Sequence, residues 1–297
     1  MSDATPSADE VERPARIVDA HVHLWDPART DWYPYLAGQQ DVGLGDVTGM
    51  ARRFDLPTYR AEAPGWNVEA WVNVAAATGV HSIEETLEVD ARAQADGHPD
   101  ALIGGVTPTD TVAEAVDQLD RQLRAGRFRG VRPMGRFAGP LPHLDVLRAL
   151  AERELVFELM THPDQLAEAA AGLVEVDGLT VVVEHAGWPR SADADEHALW
   201  HDGMAALAAL GPRVHCKLSG LAMPLGSMAP DVLRPWIEEA LALFGTDRCF
   251  FASNFPVDGL HGTLDELWSS YSALTADLDA ATRDALFAGN AERVYRL

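Results

Sequence analysis

Eight short apolar runs alternate with helical segments, and this alternation constrains the fold more than any other feature of the sequence. The runs are rich in Val and Phe and bounded by Gly or Pro, as buried parallel strands are. They lie at 17–25, 68–76, 101–108, 128–134, 155–162, 179–187, 213–221 and 249–257. Three pairs between them fit a helix capping box: Ser82 with Glu85, Thr111 with Glu114, and Thr263 with Glu266.

Alternating strands and helices form either a closed barrel or an open, doubly wound sheet. No Gly-rich phosphate loop of the GxGxxG or Walker A type follows any run, which removes the usual signals of a nucleotide-binding open sheet. Eight is the strand number of a (β/α)8 TIM barrel, which needs roughly 250 residues. We therefore predict an α/β fold, a single TIM-barrel domain over 16–297, after a disordered N-terminal extension over 1–15.

The charge balance limits the partners of the protein. The 297 residues include 23 Lys and Arg against 46 Asp and Glu, a formal net charge of −23, which repels nucleic acid and anionic membrane surfaces. No apolar run reaches the ~20 residues of a membrane span, and residues 1–16 lack the apolar core of a secretion signal. We expect a cytoplasmic protein that acts on a small molecule, with homo-oligomers possible and with Cys216 and Cys249 as buried thiols.

Polar residues at the carboxyl ends of the strands are the candidates for chemistry, because barrel enzymes build their active sites there. His21 and His23 are two apart on the first strand, so both side chains face the same side. His185 ends the sixth strand. Three imidazoles at one mouth can bind a metal ion or exchange protons.

Further polar residues end other strands. Arg132 could clamp a carboxylate or form a salt bridge at the rim. Lys217, Ser219 and His215 share one face of the seventh strand, and one of them is expected to face the pocket. His162 could be a ligand or could cap the following helix, and we favour the cap.

Two carboxylates and one long connection need separate interpretation. Glu184 precedes His185 directly, so strand alternation predicts that it faces the helices in a structural role. Glu158 is predicted to hydrogen-bond inside the barrel, because a buried carboxylate needs partners. The connection 26–66 begins with aromatic residues and is either a lid over the mouth or a surface loop packed by its own rings.

Five motifs and the C-terminus resemble one family. IVDAHVHLWDP, FRGVRPM, VVVEHAGWP, HCKLSGL and FFASNFPVD follow one another on the first, fourth, sixth, seventh and eighth strands, and GNAERVYRL closes the chain. Together they resemble the amidohydrolase-related (amidohydrolase-2) family over residues 17–297. That family includes sugar lactonases, 2-pyrone-4,6-dicarboxylate lactonase, decarboxylases and amide hydrolases.

The resemblance implies roles for individual residues. His21, His23 and His185 match the family's strand histidines, and Arg132 matches its strand-four arginine. The family's strand-eight position is normally Asp, a metal ligand or general base, but here it is Asn254. A neutral amide cannot act as a base. The three histidines could hold one divalent ion, zinc or manganese, whereas Asn254 makes catalysis without a metal plausible.

The sequence thus predicts a hydrolase that opens a lactone or similar cyclic ester of a small carboxylated or polyhydroxylated molecule. The predicted catalytic residues are His21, His23, His185 and Asn254, with a histidine favoured over Asp258 as the base. The predicted substrate-binding residues are Arg132, His162, Lys217, Ser219 and Asp258. Two alternatives stay open: a metal-dependent decarboxylase of an aromatic or unsaturated acid, and a non-catalytic binder of small acids.

Overall fold

Eight parallel strands form one sheet in the order of the chain, which is the arrangement of a (β/α)8 barrel and confirms the predicted fold. The computed structural model describes residues 12–39, 45–133 and 141–297. The strands are β1 (Ile17–Val22), β2 (Val68–Val74), β3 (Ala101–Val106), β4 (Phe128–Pro133), β5 (Val156–Leu159), β6 (Thr180–Val183), β7 (Val214–Leu218) and β8 (Cys249–Phe251).

Helices follow the strands and form the outer layer. They are α1 (Leu56–Glu62), α2 (His81–Asp96), α3 (Val112–Gln122), α4 (Leu144–Glu152), α5 (Pro163–Leu173), α6 (Ala194–Ala208), α7 (Ala222–Leu225), α8 (Pro230–Phe244), α9 (Leu264–Leu274), α10 (Ala280–Asp284) and α11 (Asn290–Tyr295). Two predicted capping boxes, at Thr111 and Thr263, are present. The third is wrong, because the N-cap of α2 is Val80, two residues before Ser82, and Glu85 accepts backbone hydrogen bonds from Ala76 and Ala77.

The barrel closes where β1 meets the residues after β8. The N–H of Asn254 donates to the carbonyl of His21 at 2.8 Å, and the N–H of His23 donates to the carbonyl of Phe255 at 2.8 Å. The buried Asp19 carboxylate accepts from the N–H groups of His21 and Ser253. This seam holds the strand-one histidines beside the strand-eight loop.

The C-terminal helix α11 packs against the barrel interior. Ala291, Val294 and Tyr295 belong to the same buried cluster as inward-facing strand residues such as Val72 and Phe250. The fully buried Tyr295 ring lies 5.8 Å from the ring of Phe250. The end of the chain therefore fills part of the barrel core.

The long connection after β1 is anchored by its aromatic residues. Tyr33 donates a hydrogen bond to Glu85 at 2.8 Å, and Tyr35 donates to the carbonyl of Ala76 at 3.1 Å. Its residues 40–44, like residues 1–11 of the predicted N-terminal extension, lie outside the described part of the chain. The aromatic start packs against the β2–α2 junction, and both interpretations of the connection, as a lid and as a surface loop, stay predictions.

Two further expectations concern the cysteines and membrane-spanning helices. Cys216 and Cys249 are buried, free thiols on neighbouring strands, as predicted. Among the described residues, no helix combines the length and apolar character needed to cross a bilayer.

Candidate active site

The three predicted histidines converge at the carboxyl ends of β1 and β6. The Nε2 atoms of His21 and His23 are 3.2 Å apart, and the rings of His21 and His185 have centroids 4.7 Å apart. All three side chains are at most 3% exposed. Asn254, 2% exposed, lies beside them across the barrel seam. The geometric part of the sequence prediction is therefore confirmed, while the catalytic roles stay predictions.

Hydrogen bonds fix how the imidazoles of β1 share their protons. Nδ1 of His23 lies 2.7 Å from the carbonyl oxygen of Val74, which can only accept, so this nitrogen carries a proton. The Lys217 ammonium lies 3.4 Å from Nδ1 of His21 and can only donate. The remaining proton of His21 is thereby placed on Nε2, where it points to the unprotonated Nε2 of His23.

The environment keeps the histidines neutral. Burial lowers the pKa of His23 to about 3, and the nearby Arg132 guanidinium lowers it further. Burial also holds the pKa values of His21 and His185 well below their usual range, with Lys217 as the next largest cause. Neutral imidazoles are suited to hydrogen bonding or metal binding but are weak bases.

His185 is positioned by the loop after β7. Its Nδ1 lies 2.9 Å from the hydroxyl of Ser219. A Cβ on Gly220, whose φ is +66°, would come within 2.3 Å of the same nitrogen, so this position has room only for glycine. Ser219, predicted to bind substrate, thus contacts His185 directly, and a substrate contact stays a prediction.

The predicted orientation of Glu184 is wrong. The strand ends at Val183, and His185 and Ala186 adopt φ values of +54° and +49° in a tight turn, so the alternation of a strand no longer applies. Glu184 therefore lies on the same side as His185, with its carboxylate 3.6 Å from Nδ1 of His21. Gly187 in EHAG was the only sequence sign of a turn at this point. A left-handed conformation at the non-glycine residues His185 and Ala186 is rare, so the sequence does not predict it.

Glu184 is an unusual carboxylate. It is 1% exposed, and no N–H or hydroxyl group of the described residues donates a hydrogen bond to either of its oxygens. The Arg132 guanidinium lies 3.7 Å away. Burial raises the pKa of Glu184 to about 8, and the negative charge of Glu158 contributes to the rise, against the opposing effect of Arg132.

Glu158 is hydrogen-bonded inside the barrel, as predicted. Both of its oxygens accept from the Lys217 ammonium, at 2.8 and 2.6 Å, and the Tyr295 hydroxyl donates to Oε1 at 2.6 Å. Burial would raise the pKa of Glu158, but the Lys217 ammonium and these hydrogen bonds hold it below its usual value. Lys217, predicted to bind substrate, is thus fully buried and directed at Glu158 and His21.

Arg132 projects from β4 beside the histidines. One of its terminal nitrogens donates to the carbonyl of Ala75 at 2.6 Å, and the other faces Glu184. Its Nε has no hydrogen-bond partner among the described residues. The guanidinium is therefore fixed in orientation and retains a donor for a substrate oxygen.

Asn254 and Asp258 form a pair in the loop after β8. The amide nitrogen of Asn254 donates to Oδ1 of Asp258 at 2.8 Å, which fixes the direction of the amide. Burial raises the pKa of Asp258 to about 7, against hydrogen bonds from the side chain of Asn254 and the backbone of Ala222. A substrate-binding role for Asp258 stays a prediction.

Two further histidines were considered in the sequence. His162 occupies the position before α5 but forms no side-chain capping hydrogen bond, so the favoured capping role is wrong. Burial beside Arg190 lowers its pKa, and it contacts the backbone of Trp188, whose ring packs on His185. His215 is near the start of β7, where burial and Arg293 lower its pKa to about 4, away from the three histidines.

His21 and His23 fit a divalent metal ion in ligand type and spacing. Two ligands on a tetrahedral zinc ion are roughly 3.3 Å apart, given Zn–N bonds of about 2.0–2.1 Å, and the two Nε2 atoms are 3.2 Å apart. The described residues that place three ligand atoms within 4.8 Å of one another are His21, Glu158 and Glu184. A metal on Nε2 of His21 would require its proton to move to Nδ1, which lies 3.6 Å from a Glu184 oxygen and 3.4 Å from the Lys217 ammonium.

Comparison with known proteins defines the class. The chain matches the Amidohydrolase family model over residues 18–297 and belongs to this family of hydrolase enzymes. It is 30% identical to the uncharacterized protein y4mH of Sinorhizobium fredii, over 95% of this chain and 98% of that protein. It is 29% identical to an L-fucono-1,5-lactonase of Burkholderia ambifaria, over 94% of this chain and 95% of that protein.

A solved structure is similar over the same extent. An amidohydrolase from Burkholderia multivorans with bound zinc superposes with a TM-score of 0.77 at 27% sequence identity, over 95% of this chain and 100% of that chain.

Proposed function

We propose that the protein hydrolyses a lactone or similar cyclic ester of a small polyhydroxylated or carboxylated molecule. The observation that carries the proposal is the convergence of His21, His23 and His185 beside a fixed guanidinium at the barrel mouth. The L-fucono-1,5-lactonase relative, which is similar along nearly the whole chain, supports a lactone as the substrate.

Arg132 would orient the substrate. Its Nε, which has no hydrogen-bond partner among the described residues, can donate to a carboxylate or hydroxyl oxygen, while the hydrogen bond to Ala75 and the ion pair with Glu184 hold the plane of the guanidinium. The neutral imidazoles would contact the lactone carbonyl, where negative charge develops when water adds to the carbon. A divalent ion held by His21, His23 and His185 would add Lewis-acid polarisation of that carbonyl.

A base must take a proton from the attacking water, and Asn254 cannot serve. We propose the ionised form of Glu184, because its raised pKa of about 8 makes it a stronger base than an ordinary carboxylate and it lies 3.6 Å from His21. Water then forms a bond to the carbonyl carbon, the ring C–O bond breaks, and the proton passes to the departing alkoxide. This assignment replaces the histidine base predicted from the sequence.

A hydrolysis screen tests the proposal. We expect the purified protein to open at least one sugar-derived 1,5-lactone or carboxylated pyrone faster than its spontaneous hydrolysis, measured by acid release with a pH indicator. We expect His185→Ala to lower kcat by about 100-fold or more, because a charge-stabilising contact is removed. His201→Ala, on the outer helix α6, is the matched control and should keep the wild-type rate.

The alternatives give different results in the same experiment. Release of CO2 from an aromatic or unsaturated acid, with every lactone left intact, would favour the decarboxylase. Thermal stabilisation by small acids without turnover of any substrate would favour the non-catalytic binder.

A further inference from the structure

A second cluster of polar side chains shares His21 with the three histidines. His21, Glu158 and Glu184 each offer one ligand atom, and these atoms lie within 4.8 Å of one another. All three side chains are buried, and imidazole and carboxylate are ligands that divalent metals accept. By residue type and distance, this cluster of His21, Glu158 and Glu184 is therefore a possible metal site.

A protein cation already contacts this group. The Lys217 ammonium lies 2.6 and 2.8 Å from the two oxygens of Glu158 and 3.4 Å from Nδ1 of His21. An ammonium has three N–H donors, and three acceptors surround it. The Tyr295 ring packs near the ammonium, 5.4 Å from its centroid, and the Tyr295 hydroxyl donates to Glu158. The hydrogen-bonding capacity of the ammonium is fully used inside the protein.

Lys217 is also the only lysine in the 297-residue sequence, and the other 22 of its 23 Lys and Arg residues are arginine. Lysine differs from arginine because its charge is compact and can be surrounded by acceptors, whereas guanidinium needs a planar arrangement. A compact charge is the feature that ammonium shares with a metal ion. The one lysine thus occupies the place in the chain where such a charge meets the Glu158 carboxylate and the His21 imidazole.

The charges in the cluster of His21, Glu158 and Glu184 are balanced without a metal. Lys217 and Arg132 provide two positive charges, and Glu158 and Glu184 provide up to two negative charges. A divalent ion added at this depth would leave uncompensated positive charge in a buried site, which is strongly unfavourable. Removal of Lys217 would instead leave Glu158 without its cation.

We infer that Lys217 is a built-in cation that takes the place of a metal ion in the cluster of His21, Glu158 and Glu184, where it contacts His21 and Glu158. Any metal bound by this protein is then confined to the imidazole side, away from Glu158 and Glu184. The inference concerns which cation occupies the cluster of His21, Glu158 and Glu184, and it holds whether or not the protein is a lactonase.

Zinc content tests this inference. Metal-stripped wild type and Lys217→Met, a variant of similar length without the charge, are incubated with excess ZnCl2, desalted and measured by mass spectrometry. We expect Lys217→Met to bind one zinc ion per chain more than wild type. The additional ion should be lost in Lys217→Met/Glu158→Gln, and zinc should raise the Tm of Lys217→Met more than that of wild type. Equal zinc content in folded Lys217→Met and wild type would overturn the inference.

A second measurement uses the wild-type protein, in case the variant does not fold. Lysine labelled with 15N at Nζ gives a single side-chain signal, because the chain has one lysine. We expect its ammonium protons to stay protected from solvent exchange when zinc is saturating. Loss of that protection on addition of zinc would show that the metal displaces Lys217 and would contradict the inference.

Discussion

At the scale of single residues, burial decides which groups at the mouth carry charge. The histidines are held neutral because desolvation and the neighbouring cations oppose their protonation. Glu184 is affected in the opposite direction, since burial favours its protonated form. Groups of opposite chemistry are thus both shifted toward neutrality, because a charge on either group would be buried away from water.

The base proposed above can be tested by Glu184→Gln. This change keeps the shape of the side chain and removes its ability to take a proton, so we expect kcat to fall by about 100-fold to 10,000-fold. Glu85→Gln alters a buried carboxylate on α2 that is bound by Tyr33 and two backbone N–H groups, and it should keep most of the activity. A wild-type kcat in Glu184→Gln would rule out this base.

Asp258 should make stability depend on pH. Its folded pKa of about 7 lies above the usual 3.8, so its contribution to stability is complete below about pH 4 and is lost as pH rises through about 7. Asp258→Asn does not titrate and still offers an oxygen to Asn254. We expect its Tm to exceed that of wild type by several degrees near pH 8.

The comparison at two pH values separates this effect from others. The difference in Tm between Asp258→Asn and wild type should shrink between about pH 8 and about pH 5. The upper bound is about 4 kcal/mol, because one pKa unit corresponds to about 1.4 kcal/mol. A difference that is constant over this range would show that Asp258 does not titrate with a raised pKa.

At the scale of elements, two loops after neighbouring strands position His185. The turn after β6 brings Glu184 and His185 to one side, and the loop after β7 places Ser219 and Gly220 against the imidazole. Both loops depend on left-handed backbone conformations, which are sparsely populated for residues other than glycine.

Gly220→Ala tests the close approach of the β7 loop. The added Cβ would lie 2.3 Å from Nδ1 of His185, so we expect kcat to fall at least about tenfold as the ring is displaced. Gly226→Ala is the matched control, because its φ of +67° is similar and no atom lies within 4 Å. Both variants should lose about 1–2 kcal/mol of stability, measured by denaturant unfolding. Equal activities in the two variants would contradict the proposed packing.

At the scale of the whole molecule, the barrel is closed at the seam between β1 and β8 and filled from the C-terminal helix. Tyr295 connects these features, since it packs on Phe250 and donates to Glu158, which in turn binds Lys217 beside His21. The last helix therefore supports the site from within the barrel.

Tyr295→Ala should destabilise the whole barrel. A cavity and the loss of a buried hydrogen bond predict a loss of about 3–5 kcal/mol, measured by urea unfolding. Leu297→Ala, two residues later and 41% exposed in the wild type, should change stability by less than about 0.5 kcal/mol. Similar unfolding midpoints for the two variants would show that the C-terminus does not support the core.

The sequence by itself determined the barrel and the convergence of three histidines. Strand alternation and the position of polar residues at strand ends are local patterns, and His21 and His23 obey them because they lie on a regular strand. The tertiary structure alone decided the inward orientation of Glu184, since its turn leaves the strand geometry. It also decided the partners of Lys217, because Glu158, His21 and Tyr295 come together only when distant parts of the chain close the barrel.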